Sequence, residues 1–218
     1  MDFIRESPLI AAGVITGTVV AAHYSKFKPN LLALAIVFLI LLVFFMDFYR
    51  PGAVSEAQSI APSLSEGTVL APSYGTVKAI EKDNDGNTHI LVFLSPADVH
   101  VQYYPINGQI VDHVHDMTGK FHLAFDMDKS DLNEKVITTI RPRESSPIPG
   151  DIKVQRIAGF LVRRITSAHQ TGDTIKRADR MGMIKFGSRV DIILPGDPKI
   201  EVVVGQKIMG PNTVVAVY

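Results

Sequence analysis

Residues 75–94 read GTVKAIEKDNDGNTHILVFL, two β-branched runs on either side of a polar turn. Asp85-Gly86 in that turn supplies the positive φ angles that a tight hairpin requires. Other short β-branched runs continue from Thr68 to the carboxyl terminus at intervals of about ten residues, with turn residues between them. This spacing predicts a mainly β domain, a sandwich or barrel of short strands.

A weak internal repeat favours one β architecture. Residues 172–176 (GDTIK) and 205–209 (GQKIM) each follow one predicted strand and precede another, and residues 71–77 (APSYGTV) open a similar unit. This glycine-led pattern resembles the barrel-sandwich fold of biotinyl and lipoyl carrier domains. The carrier lysine at a hairpin tip is missing, so the resemblance implies an architecture and not a swinging-arm function.

The amino-terminal residues have a different character. Residues 8–22 (PLIAAGVITGTVVAA) and 31–46 (LLALAIVFLILLVFFM) are uncharged and apolar. Each is shorter than the roughly 17–25 residues that span a bilayer as a helix, and a polar turn at residues 23–30 separates them. We expect a membrane-anchoring helical hairpin over residues 1–50, which either spans the membrane or only inserts into it.

The rest of the chain then divides into a linker and the β domain. Residues 51–67 are rich in small residues and proline, which predicts an irregular lead-in. The β domain occupies residues 68–218.

Two other interpretations of the amino terminus stay open. Arg5 before an apolar stretch, with Ala21 and Ala22 near its end, is compatible with a cleaved signal peptide. A buried helical pair inside a soluble core is the second, although residues 31–46 have no polar face. Lysines in the turn and arginines near both outer ends leave the orientation undecided.

Composition excludes several functional classes. Lysine plus arginine (22) equals aspartate plus glutamate (22), so no net field holds a polyanion, and we expect no nucleic-acid partner. The absence of cysteine excludes disulfides, thiolate zinc sites and cysteine nucleophiles. Only His113 and His115 have a metal-ligand spacing, and without an obvious third ligand we predict no metal site.

Two segments carry unusual residue types: residues 93–108 (FLSPADVHVQYYPING) and 183–195 (MIKFGSRVDIILP). In the second, Gly187 allows a tightly bent backbone, and a Ser188 hydroxyl held against the Gly187 carbonyl can attack it. Attack there shifts the acyl group from nitrogen to oxygen, and elimination across Cα and Cβ then cuts the chain and leaves a residue that hydrolyses to a pyruvoyl group. A Gly-Ser pair alone is most often a turn, so only its surroundings indicate cleavage.

Together with residues 155–159 (QRIAG), Arg163-Arg164 and residues 44–51 (FFMDFYRP), these segments resemble the short class of phosphatidylserine decarboxylases of bacteria and archaea. The resemblance extends over nearly the whole chain, and FGSRVD is its most specific match. It implies self-cleavage between Gly187 and Ser188 into a large and a small chain, with a pyruvoyl cofactor derived from Ser188. The substrate would be phosphatidylserine or archaetidylserine in the membrane, converted to the ethanolamine lipid.

The resemblance also implies roles for individual residues. His100 is the candidate for acid–base work, since a near-neutral pKa suits a group that protonates the carbanion left after decarboxylation. Asp98, two residues earlier on a predicted strand, is expected to orient the imidazole or to favour its charged form. The alternatives are a turn role for Asp98 and a satisfied core position for His100.

Three arginines are candidates for binding the lipid phosphate, because planar guanidinium groups match phosphate oxygens. They are Arg163, Arg164 and Arg189. Arg163 and Arg164 point to opposite faces if they lie on a strand, so at most one of them faces the site.

The chain departs from the family pattern at Tyr74, where an aspartate implicated in self-cleavage is usual, and at Tyr103, where the longer class has a second histidine. Processing then depends on His100 with Asp98, or on another carboxylate such as Asp126 or Asp128, or it is slow or absent. A non-enzymatic, membrane-tethered β module that does not cleave itself is therefore the alternative function, although the retained Ser188 argues against it.

Location follows from the substrate, because serine lipids are made on the cytoplasmic leaflet. We expect a cell-membrane protein with its β domain on the cytoplasmic side. An adaptor of a membrane fusion or secretion complex is a further rival, but the long coiled-coil segments usual in such proteins are missing. The lipid tails, ester or ether, and any homo-oligomer stay open.

Overall fold

The computed structural model describes residues 8–25, 33–38, 51–95, 98–117, 132–159, 165–184 and 188–218. The chain divides into two compact units, Met1–Tyr49 and Arg50–Tyr218. In the first unit, α1 covers Pro8–Ser25 and residues 33–38 are also helical. Of the helices in the described ranges, none combines the length and the apolar character needed to cross a membrane. Most of the second apolar run lies outside the described residues, so the hairpin stays a prediction.

The second unit opens with helix rather than with the expected irregular lead-in. Helix α2 covers Pro51–Ile60, and a 3-10 helix follows at Ala61–Ser63. Proline suits the first helical position because its missing N–H has no partner to lose there. Ala57 and Ala61 pack on Leu70 and Ala178, so burial of a small-residue face holds a segment whose composition suggested a linker.

The strands account for most of the remaining described chain. They are β1 Thr68–Leu70, β2 Gly75–Lys82, β3 Thr88–Leu94, β4 Val101–Tyr103, β5 Gly108–Asp116, β6 Lys135–Pro142, β7 Ile152–Ile157, β8 Ile165–Ser167, β9 Thr174–Ile175, β10 Arg180–Ile184, β11 Ser188–Leu194, β12 Lys199–Ile200, β13 Lys207–Ile208 and β14 Val214–Val217. The prediction of a mainly β protein is confirmed, as is the β2–β3 hairpin. In its turn Gly86 has the expected positive φ, 81°, whereas Asp85 does not have one.

The described strands form three open sheets and no closed barrel. The largest has the order β13-β2-β3-β11-β7-β6-β5-β9, and the smaller ones are β4-β10-β8 and β1-β14-β12. One continuous core joins Val190 and Ile192 of the large sheet to Met181 and Ile184 of β10 and to Val215 of β14. Strand β11 therefore lies inside the large sheet, with one face on the core.

The internal repeat corresponds to a structural repeat at the two edges of the large sheet. Gly205 (φ 89°) leads into β13 and donates its N–H to the Val77 carbonyl at 2.8 Å. Gly172 (φ 96°) leads into β9 and donates to the Ile110 carbonyl at 2.7 Å. Both positions require the left-handed backbone that glycine adopts without strain. The two glycines thus precede the two edge strands of the same sheet, β13 and β9.

Candidate active site

Ser188 is the first residue of β11 and is hydrogen-bonded into the sheet beside Leu94 of β3. Because side chains alternate along a strand, it shares the core-facing side with Val190 and Ile192. Its side chain is fully buried, and its Oγ has no hydrogen-bond partner among the described residues. A buried hydroxyl without a partner costs about 1–3 kcal/mol, so the fold holds this oxygen in an unfavourable and available state. Gly187 lies outside the described residues.

The segment SPADVH begins directly after Leu94, the register partner of Ser188. Ser95 and Asp98 close a turn in which the Asp98 N–H donates to the Ser95 carbonyl at 2.9 Å. In return, Asp98 Oδ2 accepts hydrogen bonds from the Ser95 N–H at 2.8 Å and from Ser95 Oγ at 2.9 Å. Pairing of β3 with β11 therefore places this turn beside Ser188.

The Asp98 carboxylate is also paired with a distant lysine. Lys207 Nζ lies 2.8 Å from Oδ1 and 3.0 Å from Oδ2. Burial raises the pKa of the Asp98 carboxyl, but the hydrogen bonds from Lys207 and Ser95 outweigh it, so the pKa lies below its ordinary value. Asp98 is therefore a charged residue that organises the turn.

His100 has one nitrogen engaged and one available. Its Nδ1 lies 2.7 Å from the backbone carbonyl oxygen of Asp98, and because a carbonyl only accepts, Nδ1 carries a proton. Its Nε2 is buried and has no partner within the described part of the chain. Burial lowers the pKa of His100, and this outweighs the hydrogen bond and the charge of Asp98, which act in the opposite direction. The imidazole is thus neutral at neutral pH, with a lone pair on Nε2.

The predicted relation between Asp98 and His100 differs from the observed one. Neither residue lies on a strand, since β4 begins at Val101. The backbone carbonyl of Asp98, and not its carboxylate, contacts the imidazole. The carboxylate orients the turn instead.

Residues 185–187 lie outside the described residues, but the residue on each side of them has a defined contact. The Ile184 N–H donates to the His100 carbonyl at 3.1 Å, and Ser188 pairs with Leu94. The side chain of Gln102, which sequence reasoning missed, donates to the same His100 carbonyl at 2.6 Å. Ile184 and Ser188, the described residues on either side of residues 185–187, are therefore both held against residues 94–100.

Arg189 forms a buried ion pair directly after Ser188 in the chain. It follows Ser188 on the strand, so its side chain lies on the opposite face of the sheet. There its Nε and Nη2 donate to the two carboxylate oxygens of Asp191 at 2.8 and 2.7 Å, with both side chains buried. The guanidinium fork proposed for the lipid phosphate is engaged by this carboxylate. Arg163 and Arg164 lie outside the described residues.

Tyr74 packs in a small buried cluster with Val99, Val101 and Tyr103, on both sides of His100 in the chain. The Tyr103 N–H donates to the Pro72 carbonyl at 2.8 Å, which holds β4 against the PSYG segment. The departure at Tyr74 therefore brings an aromatic ring to the site, where the family pattern has a carboxylate. Asp126 and Asp128 lie outside the described residues.

Asn133 and Glu134 lie at the same end of the large sheet as Ser188. Asn133 Nδ2 donates to the Ala158 carbonyl at 2.9 Å, and the Ala158 N–H donates to the Glu134 carbonyl at 2.9 Å. Register places Ala158 next to Ser188, because Ile157 pairs with Arg189. These contacts fasten the end of β7 beside the candidate nucleophile.

The pair His113 and His115 makes protein contacts. His113 Nδ1 lies 3.0 Å from Thr138 Oγ1, and His115 Nε2 lies 2.8 Å from Glu134 Oε1. Across the described ranges, no group of three histidine, aspartate or glutamate side chains has an arrangement that would hold a metal ion.

Ser188 has a buried hydroxyl and follows a glycine, and its register partner Leu94 leads directly into the segment that carries His100. A serine hydroxyl and a nearby histidine are the groups that serine-dependent cleavage of a backbone requires. Comparison with known families agrees: the model described as "Phosphatidylserine decarboxylase" matches residues 43–216. The chain therefore belongs to the phosphatidylserine decarboxylase family, whose members are carboxy-lyases, and the assignment made from the two segments is confirmed.

Three similar proteins bear the name phosphatidylserine decarboxylase proenzyme. That of Pelodictyon phaeoclathratiforme is 34% identical over 184 residues, 81% of this chain and 80% of its own. That of Thermobifida fusca is 40% identical over 149 residues, 68% of this chain and 65% of its own. That of Chlorobium phaeobacteroides is 35% identical over 206 residues, 90% of each chain. The word proenzyme indicates that these relatives are processed after synthesis.

Proposed function

We propose that this chain is the precursor of a pyruvoyl-dependent decarboxylase, which cleaves itself between Gly187 and Ser188. The mature enzyme converts a serine glycerophospholipid to the ethanolamine phospholipid and releases carbon dioxide. The observation that carries the proposal is the buried Ser188 Oγ, without a partner among the described residues, beside the segment that bears His100. The names of the relatives support the substrate class.

Self-cleavage uses only groups of the chain. His100 Nε2 takes the Ser188 hydroxyl proton, and Oγ attacks the Gly187 carbonyl carbon. The Gly187–Ser188 C–N bond breaks, its nitrogen gains a proton, and an ester joins the two residues. Loss of the Ser188 Cα proton then breaks the bond between Ser188 Cβ and Oγ, so that the oxygen leaves with Gly187 as its carboxylate and dehydroalanine remains at 188. Water then hydrolyses the dehydroalanine: its nitrogen leaves as ammonia, and a pyruvoyl group remains at position 188.

The environment of Ser188 fits the group that this reaction would produce. The position is fully buried. Its hydroxyl oxygen has no hydrogen-bond partner among the described residues, so conversion to a pyruvoyl group would break no hydrogen bond there. A pyruvoyl group supplies an electron sink for the pair released when carbon dioxide leaves. His100 would hold the proton that is returned to the substrate carbon, and the cluster of Tyr74, Val99, Val101 and Tyr103 would limit access of water.

The intact mass of the purified protein under denaturing conditions tests this proposal. We expect two chains, one ending at Gly187 and one of residues 188–218 that is lighter by one ammonia than the hydrolytic peptide. A peptide of full hydrolytic mass would indicate ordinary proteolysis. A single uncut chain would favour the alternative, a non-enzymatic β module of the same family.

The two chains are expected to stay together after cleavage. The small chain would supply β11 between β3 and β7, β13 beside β2, and β14 beside β1. Its side chains Val190, Ile192 and Leu194 are fully buried in the core, so separation would expose them to water. Gel filtration of the cut protein in mild detergent should give one peak that contains both chains. Separate elution of the small chain would contradict this arrangement.

We also propose that residues 1–50 anchor the protein in the cell membrane as a helical hairpin, with the β domain on the cytoplasmic side. The apolar residues 8–22 and 31–46 and a substrate that stays in the bilayer support this placement. The paired glycine-led units at the edges of the large sheet support the finer assignment of a barrel-sandwich fold.

A further inference from the structure

Cleavage between Gly187 and Ser188 would put the two principal groups of the site on different chains. Ser188 would begin the small chain, whereas His100 would remain in the large chain. We propose that Lys207 of the small chain is a positioning residue, which holds the turn at Asp98 and through it the imidazole of His100. This inference rests on the proposed function and adds a residue outside both sequence segments.

A continuous series of hydrogen bonds leads from Lys207 to His100. The ammonium lies 2.8 and 3.0 Å from the two carboxylate oxygens of Asp98. The backbone carbonyl of Asp98 lies 2.7 Å from Nδ1 of His100. Movement of Asp98 therefore moves the acceptor that sets the tautomer and the orientation of the ring.

The backbone of Lys207 is well placed for this role. Strand β13 pairs with β2, with Lys207 opposite Thr76 and Ile208 opposite Gly75. Gly75 is packed so tightly on β3 that a Cβ there would lie 2.5 Å from the Phe93 carbonyl oxygen. Lys207 is thus fixed to the same pair of strands from which the SPADVH segment departs.

The carboxylate is much more buried than its partner. The Asp98 side chain is 11% exposed, whereas that of Lys207 is 60% exposed. The Asp98 carboxylate keeps its two hydrogen bonds from Ser95 without Lys207, and the lysine end of the pair is exposed, so loss of Lys207 should leave the protein folded. Without Lys207, the Asp98 carboxylate beside His100 would have no lysine to balance its charge. The resulting change in the environment of His100 is distinct from a loss of protein stability.

The sign of the electrostatic effect follows from the groups around His100. Asp98 is on its own segment, Lys207 reaches Asp98 from β13, and the cluster on either side of His100 includes the phenols of Tyr74 and Tyr103. The Asp98 charge raises the pKa of His100. Removal of the ammonium leaves this charge less balanced, so the pKa of His100 should rise. A base with a raised pKa is protonated at a higher pH and loses activity there.

The experiment compares self-cleavage rates of freshly refolded precursors over a range of pH. We expect Lys207→Met to cleave roughly tenfold more slowly at neutral pH, with the acidic fall in rate shifted to higher pH. Lys207→Arg should restore both the rate and the pH profile. Lys199→Met is the matched control, because Lys199 forms another exposed pair, with Glu201, in the same small chain. It should behave as the wild type.

The Asp98→Asn variant tests whether Lys207 acts on His100 through the Asp98 carboxylate or in some other way. In that background Lys207→Met should cause no further shift of the pH profile, because the charge that it balances is absent. The inference is overturned if Lys207→Met has the wild-type rate and profile, or if its shift persists in the Asp98→Asn background. A wild-type chain that never cleaves would instead refute the proposed function itself.

Discussion

Replacement of Ser188 by alanine should leave the precursor as one uncut chain and abolish formation of the ethanolamine lipid. Alanine has no oxygen to attack the Gly187 carbonyl, and no pyruvoyl group can form from it. The variant should still fold, because the lost hydroxyl is buried without a partner in the described residues and its removal costs no hydrogen bond. Denaturing mass spectrometry measures the cut, and release of carbon dioxide from a serine lipid in mixed micelles measures the activity.

Ser73→Ala is the matched control for this experiment. Ser73 is also fully buried, and its hydroxyl likewise has no hydrogen-bond partner among the described residues. The same atom is removed at a comparable site, but Ser73 does not follow a glycine. This variant should therefore be cut like the wild type. Cleavage of Ser188→Ala at the same bond would show that another group is the nucleophile.

Replacement of His100 by alanine should slow self-cleavage by about 10²–10⁴-fold at neutral pH, the usual contribution of a positioned general base. The physical reason is the available Nε2 lone pair, in a ring whose Nδ1 is held by the Asp98 carbonyl. The time course of the cut, followed by denaturing electrophoresis, measures the effect. A normal rate in this variant would shift the role of base to another group.

The pH dependence gives an independent check on His100. Burial lowers its pKa below the ordinary value of about 6.5, so the neutral form predominates at neutral and higher pH. The wild-type cleavage rate should be level across that range and fall at acidic pH, whereas His100→Ala should lack this fall. His115→Ala serves as the control, because His115 pairs with Glu134 and should leave the profile unchanged.

The site explains how processing can proceed without the usual aspartate at position 74. Tyr74 is part of an apolar cluster, and the acceptor that orients the imidazole comes from the backbone of Asp98. A backbone carbonyl cannot be protonated near neutral pH, so the direct acceptor for His100 Nδ1 keeps its character whatever the ionisation of a neighbouring carboxyl. This arrangement supports the enzyme over the non-enzymatic alternative.

Local patterns in the sequence predicted the features that depend on near neighbours. The Asp85-Gly86 turn, the short β-branched runs and the glycine-led repeat all correspond to observed elements. The sequence analysis grouped Arg189 with the candidates for the site, whereas adjacent residues on a strand face opposite ways and Arg189 pairs with Asp191. The helix at Pro51–Ile60 was missed, since its stability comes from contacts with Leu70 and Ala178.

The sequence by itself determined the family, the candidate nucleophile and the candidate base, because these depend on short segments whose chemistry is visible in their residue types. Tertiary structure alone decided how they meet. Pairing of β3 with β11 brings SPADVH beside Ser188, and Lys207 reaches Asp98 across 109 positions of the chain. No local periodicity encodes such contacts, because sheet register and core packing select them only when the whole domain folds.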